Sequence, residues 1–185
     1  RVDFEIESIE TIESVSPKFV LVQALAKGDR DERAVQQATE LGVSEIIPWE
    51  AERSVSTWSQ EKAVRGVERW ASIAREAAKQ SLRSRIPKIR GKVSTKQLAE
   101  LVDGKPTIVL HPGGSVSLSE WVKQFGSSVD EVYLIVGPEG GVSETEITSL
   151  ERVGAKTVKL GDEVLRTSTA GPAALAALQA LLGNW

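Results

Sequence analysis

The chain has 185 residues, 41% of them hydrophobic and 26% charged, with a formal net charge of −3. This is enough chain for one sizeable core, or one domain plus part of another, and its charge excludes a globally basic nucleic-acid binder. Cysteine is absent, which removes disulfides, thiolate nucleophiles and Cys-ligated zinc together, and no run approaches the roughly 18 apolar residues of a membrane span, so a cytoplasmic protein without a membrane partner is expected.

With Arg1 first, no methionine and no leader-like stretch, part of the N-terminus is expected to be missing. Residues 2–13 (VDFEIESIETIE) partly alternate apolar and acidic residues, which predicts a strand with one wet face or a short hairpin, the tail of a small β domain. KFVLVQAL (18–25) is a continuous apolar run and predicts a strand buried on both faces. Asp29 is placed to cap a helix carrying Val35, Ala38 and Leu41, with Gly42 at its end. SEIIPWE (44–50) is the next strand, giving a β-α-β unit and hence a parallel sheet.

From Ser59 to Arg83 the residues Ala63, Val67, Trp70, Ala74 and Ala77 or Ala78 recur every three to four positions, one long amphipathic helix that Pro87 prevents from continuing far. STKQLAELV and SLSEWVKQF predict short helices; PTIVLHP, EVYLIVG and KTVKL predict strands. Ser143 with Glu146 is a capping-box pattern, Gly154 lies beyond the helix it opens, and AGPAALAALQALL (170–182) is a closing alanine-rich helix.

Three stretches carry chemistry. In IVGPEGGVSETEI, Gly137, Gly140 and Gly141 lie between a buried strand and a helix start, a place where backbone groups can meet a ligand beyond the carboxyl end of a strand. The plain alternative is a turn that uses glycine for geometry alone. Neither the Walker pattern nor the dinucleotide fingerprint fits these residues. LGDEVLRTSTAGPAAL (160–175) repeats the arrangement, with Gly161, an acidic pair and Arg166 among hydroxyls; there Ser168 or Thr169 is expected to cap the last helix. In REAAKQSLRSRIPKIRGK (75–92) the net charge is +6, against −4 over residues 1–16. Arg75, Lys79 and Arg83 form an i, i+4, i+8 stripe suited to phosphates, with Gln80, Ser81 and Arg85 beside it; the alternative is a solvated charged face. His111 is the only histidine, no metal-ligand set can be built with it, and it is given no acid or base role.

Four segments, KGDRDERAVQQATELGVSEIIPW, EAAKQSLRSRIPKI, LIVGPEGGVSETEI and LGDEVLRTSTA, stand in an order that resembles the RsmE-type 16S ribosomal RNA uridine N3-methyltransferases of the SPOUT superfamily, from about Phe19 to the C-terminus. The resemblance implies an α/β fold, a parallel sheet flanked by helices with a C-terminal trefoil knot, over residues 17–185, preceded at residues 1–16 by the remnant of a PUA-like RNA-binding β domain. It implies S-adenosylmethionine as cofactor, held by Leu110, His111 and Pro112, by Gly137, Pro138, Glu139, Gly140 and Gly141, and by Leu160, Gly161, Val164, Leu165, Arg166 and Thr167. It further implies 16S ribosomal RNA in the small subunit as substrate and a homodimer built on the closing helix. One position departs from the pattern, since relatives often read L-R-T-E-T-A where this chain has Ser168.

Neutral uracil N3 carries no free lone pair, so its proton must leave as the methyl group arrives. Arg166 is the candidate to stabilise the resulting anion, and Glu139 the candidate to accept a proton or to hold cofactor hydroxyls. Arg75, Lys79, Gln80, Arg83 and Arg85 are the expected RNA contacts, predicting salt-sensitive binding. The other readings are a non-catalytic RNA-binding module on the same fold, a methyltransferase of another RNA position, and a small-molecule enzyme.

Overall fold

The apolar run Lys18–Ala24 forms strand β1, buried at every residue after Lys18, as a strand must be when helices cover both faces of a parallel sheet. The structure, a computed structural model, describes residues 3–9, 16–125 and 129–185. The other strands are β2 (Glu45–Glu50), β3 (Lys88–Ile89), β4 (Val93–Ser94), β5 (Thr107–Leu110), β6 (Val116–Ser117), β7 (Glu131–Val136) and β8 (Lys156–Lys159). They lie in the order β3-β2-β1-β7-β5-β8-β6, with β4 also paired to β2, and every pairing is parallel. The expected flanked parallel sheet is therefore what the chain forms.

The helices are α1 (Arg30–Glu40), α2 (Gln60–Gln80), α3 (Thr95–Val102), α4 (Leu118–Phe125), α5 (Glu144–Arg152) and α6 (Thr167–Leu181). Successive residues of a strand point to opposite faces, and the two cores follow that rule. Phe19, Leu21 and Leu134 meet Val35 and Ala38 of α1, Trp70 and Ala74 of α2, Trp121 of α4 and Leu175 and Leu178 of α6. Val20, Val22, Tyr133 and Ile135 meet Leu98 and Val102 of α3 and Leu150 of α5 on the other face. Most of the apolar face of α6 is thus core within the chain. None of the described helices is long and apolar enough to cross a membrane.

Helix ends follow a repeated device. After α1, Gly42 (φ 95°) gives its N–H to Thr39 O while Val43 N–H reaches Ala38 O, the paired bonds of a Schellman end. Gly154 and Gly183 close α5 and α6 in the same way. After α2 the same bonds form, Leu82 to Lys79 O and Arg83 to Ala78 O, but the left-handed residue is Leu82 at φ 55°. The capping box at Ser143 is present, with Glu146 N–H on Ser143 Oγ at 3.2 Å and Ser143 N–H on Glu146 Oε2 at 3.1 Å.

Other expectations are corrected. Residues 3–9 form neither helix nor strand and are exposed, with Phe4 88% accessible; alternation alone gives no ladder, and a strand needs a paired neighbour. Residues 2 and 10–13 of that expected strand lie outside the described residues. Asp29 sits at the start of α1 without a capping bond, its carboxylate taken by Arg33 Nε at 2.9 Å. Neither Ser168 nor Thr169 caps α6, which begins at Thr167, three residues earlier than expected, with Arg166 at the cap position.

Candidate functional site

A cleft of about 770 Å³ opens beyond the carboxyl ends of β5, β7 and β8, within the range of about 300–1,000 Å³ typical of small-molecule sites. Strand β7 lies between β1 and β5, where the chain order turns back on itself, and such switch points are where open parallel sheets bind ligands. Leu110, His111 and Pro112, Gly137 to Gly141, and Leu160, Gly161, Val164, Leu165, Arg166 and Thr167 all line it. The structure thus gathers every residue expected to hold the cofactor, from segments up to 57 positions apart in the sequence.

The loop after β7 needs its glycines for packing within the protein itself. A Cβ on Gly137 would stand 2.7 Å from Val142 Cγ2 and 3.2 Å from Val142 N, and one on Gly140 would stand 3.0 Å from Arg53 Cβ. Gly141 takes φ 74° and closes the turn with its N–H on Pro138 O at 2.9 Å. The plain geometric reading of these glycines is therefore correct, and the same bare backbone also forms the cleft wall. His111 Nδ1 accepts the Gly113 N–H at 3.1 Å, which fixes the ring in its turn.

Glu139 Oε1 accepts from Arg30 Nη1 at 2.5 Å and from the Lys27 N–H at 3.0 Å. Burial works against its charge, but the Arg30 guanidinium and the backbone N–H groups outweigh it and hold the carboxyl below its usual range. A carboxylate so held is a weak proton acceptor. Thr167 Oγ1 donates to Gly137 O at 2.7 Å and accepts from the buried Gln23 Nε2 at 2.9 Å. Its hydroxyl therefore ties the start of α6 to the ends of β7 and β1. Residues 161–166 are exposed, including Arg166, with Val164 76% accessible at the rim.

Sequence reasoning missed Arg30 and Arg53, which reach the cleft from the first turn of α1 and from the loop after β2. Their contacts cross 109 and 87 positions, and the only local signal was the position of each just beyond a strand.

The basic segment is elsewhere. Ser81 to Pro87 lie with Lys18, Ser44, Glu45 and Glu131 around a hollow at the amino ends of β1, β2 and β7, the edge opposite the cleft. Five residue steps of β7 separate the two edges, roughly 17 Å. Much of its charge is met by acids, two of them remote in sequence, or by backbone. Arg90 pairs with Glu45, Lys92 with Glu50 and Lys79 with Glu76. Arg83 Nη1 donates to Thr39 O at 2.8 Å and Val43 O at 2.9 Å, and burial pushes its guanidinium down from its ordinary range. Arg83 is an anchor for the end of α1; Arg75, Lys79, Gln80 and Arg85 are exposed.

A parallel sheet with bare-backbone loops around a switch-point cleft defines a small-molecule-binding α/β domain. The comparisons give the family. Residues 14–179 match the RNA methyltransferase domain family, and the chain belongs to it. It is 37% identical over 180 residues to a ribosomal RNA small subunit methyltransferase E of Mycobacterium bovis, covering 95% of this chain and 68% of that one. Among solved structures, a ribosomal RNA small subunit methyltransferase E of Neisseria gonorrhoeae bound to S-adenosyl methionine superposes with TM-score 0.78 at 30% identity, covering 90% of this chain and 67% of that one. A methyltransferase of Legionella pneumophila with bound SAM gives TM-score 0.80 at 34% identity, covering 89% and 66%. The chain spans about two thirds of the length of these relatives.

Proposed function

We propose that this chain methylates N3 of a uridine in 16S ribosomal RNA of the small subunit, with S-adenosylmethionine as methyl donor. The observation that carries the reading is the cleft itself, which joins the side-chain-free backbone of Gly137, Gly140 and Gly141 to an apolar floor of Leu110, Val136 and Val158. Such a cleft fits a cofactor with a flat base and polar edges, since backbone groups can approach where a Cβ would collide. When bound, S-adenosylmethionine supplies an electrophilic methyl group on a sulfonium. The relatives' names supply the RNA class, and the family resemblance supplies the N3 position.

In this reading Gly137 to Gly141 and Leu160 to Thr167 hold the cofactor, with Glu139 fixed as an anion by Arg30 and so suited to hold hydroxyls. Arg166, exposed at the cleft beside the start of α6, stabilises negative charge developing on the uracil oxygens. Arg75, Lys79 and Gln80 on the last turns of α2, with Arg85 in the turn after it, grip RNA away from the reacting base. The trefoil threading, the homodimer, the PUA-like character of residues 1–16 and a cytoplasmic place of action belong to the same reading and rest on the resemblance.

The test is methylation of purified small subunits and of naked 16S RNA, followed by nucleoside analysis. N3-methyluridine is expected, and Arg166→Ala lowers the single-turnover rate about 100-fold at saturating RNA. Calorimetric silence toward S-adenosylmethionine would leave a non-catalytic RNA-binding module, and a different methylated nucleoside would move the target position.

A further inference from the structure

We infer that Arg53 receives a backbone phosphate of the RNA strand at the mouth of the cleft. The inference rests on the proposed methyl transfer to RNA and adds a residue to its substrate grip. Arg83 and Arg85 at the amino edge lie roughly 17 Å from the carboxyl edge of the sheet, too far to hold the nucleotide whose base enters the cleft. A local cation is needed there. Four cations line the cleft: Arg30, Arg53, Lys159 and Arg166. Arg30 is committed to Glu139 and Lys159 to Asp162, while Arg166 stands beside the start of α6 and is assigned to the base.

Arg53 is exposed, and its side chain makes a long bond, Nη1 to Gly140 O at 3.3 Å. Among the described residues no carboxylate pairs with it. Its backbone, by contrast, is held firmly. The neighbouring Glu52 N–H donates to Glu146 Oε1 at 2.8 Å, and Ser143 Oγ donates to Glu52 Oε2 at 2.6 Å. Thr95 Oγ1 also donates to Glu146 Oε1 at 2.8 Å, and Trp49 Nε1 donates to Thr95 Oγ1 at 3.2 Å. Thus the capping box of α5 also clamps the loop after β2 onto the glycine loop. Gly140 lacks the side chain that would push Arg53 away. A guanidinium on a fixed loop, uncompensated and facing solvent beside a ligand cleft, has the geometry of a phosphate receptor. Its exposure favours RNA over the cofactor's own carboxylate.

The experiment measures binding of a 16S RNA transcript by fluorescence anisotropy across a salt series, with S-adenosylmethionine affinity measured separately by calorimetry. Arg53→Ala is expected to weaken RNA binding about tenfold and to reduce the slope of log affinity against log salt by about one phosphate's worth. Cofactor affinity stays at the wild-type value, and Arg53→Lys recovers most of the RNA affinity. An unchanged salt slope overturns the inference, as does a loss of cofactor affinity with RNA binding intact. If Arg53→Ala fails to fold by circular dichroism, Arg53→Gln is read in the same way. RNA binding is scored without turnover, so a wild-type protein that transfers no methyl group but shows the Arg53 effect refutes the catalytic reading and leaves this one standing.

Discussion

The loops after β7 and β8 line one cleft and are held in opposite ways. In the first, Gly137 and Gly140 are required by close neighbours and Gly141 by its backbone, and Thr167, Lys27, Arg30 and Arg53 each bond to the loop. In the second, residues 161–166 are all exposed, and the ion pair of Asp162 with Lys159 lies at the surface. One wall is set before any ligand arrives, and few bonds fix the other. Local stability follows buried contacts and protected backbone bonds, so two strand-to-helix loops on one cleft have two different mechanical roles.

Substitutions that treat the two loops alike measure that difference. The largest effect is expected from Gly137→Ala, whose Cβ overlaps Val142; overpacking of this kind costs about 1–3 kcal/mol, readable by urea unfolding, and cofactor affinity in calorimetry drops at least about tenfold with it. Next comes Thr167→Val, which keeps the shape but leaves the Gly137 carbonyl without its side-chain donor, a loss of about 1–2 kcal/mol in the same assay.

A smaller effect concerns pH. The folded-state pKa of Glu139 is depressed, so its contribution is present above the ordinary carboxylate range and is lost as pH falls through the lower folded value. Thermal unfolding followed down through acid pH should show Glu139→Gln losing that part of the acid sensitivity, at a cost near neutrality of about 0.5–1 kcal/mol, as for a partly exposed ion pair. The smallest is Gly161→Ala in the second loop, where the new Cβ would meet only Glu163 Oε2 at 3.7 Å. A change within about 0.5 kcal/mol is expected, and a loss as large as that of Gly137→Ala would erase the distinction between the walls.

What the sequence revealed was what depends on near neighbours. The continuous apolar runs gave the buried strands, Gly42 and Gly154 gave helix ends, and Ser143 with Glu146 gave a capping box. The cofactor loops were legible too, through four segments in a family order. Hidden from it were relations set by the sheet order. The +6 of residues 75–92 is partly cancelled by Glu45 and Glu50, which come from another strand, and the crossover puts Ser81 to Pro87 at the amino edge. Thr167 resembles the hydroxyls around it, but only the folded chain shows that it bonds to Gly137 and Gln23. Arg53 becomes part of the site because β2 ends beside β1 and the loop after β7 lies within reach.

Leu82 offers a different kind of lesson. Among the described residues three of the four Schellman ends hand their left-handed position to glycine, while the one closing α2 forces a leucine into it, 92% open to solvent. A left-handed backbone penalises an ordinary side chain by about 1–2 kcal/mol, and an accessible leucine gains little from its surroundings in return. Leu82→Gly should therefore raise the melting temperature, far from the chemistry, making this turn the simplest starting point for a hardier version of the domain.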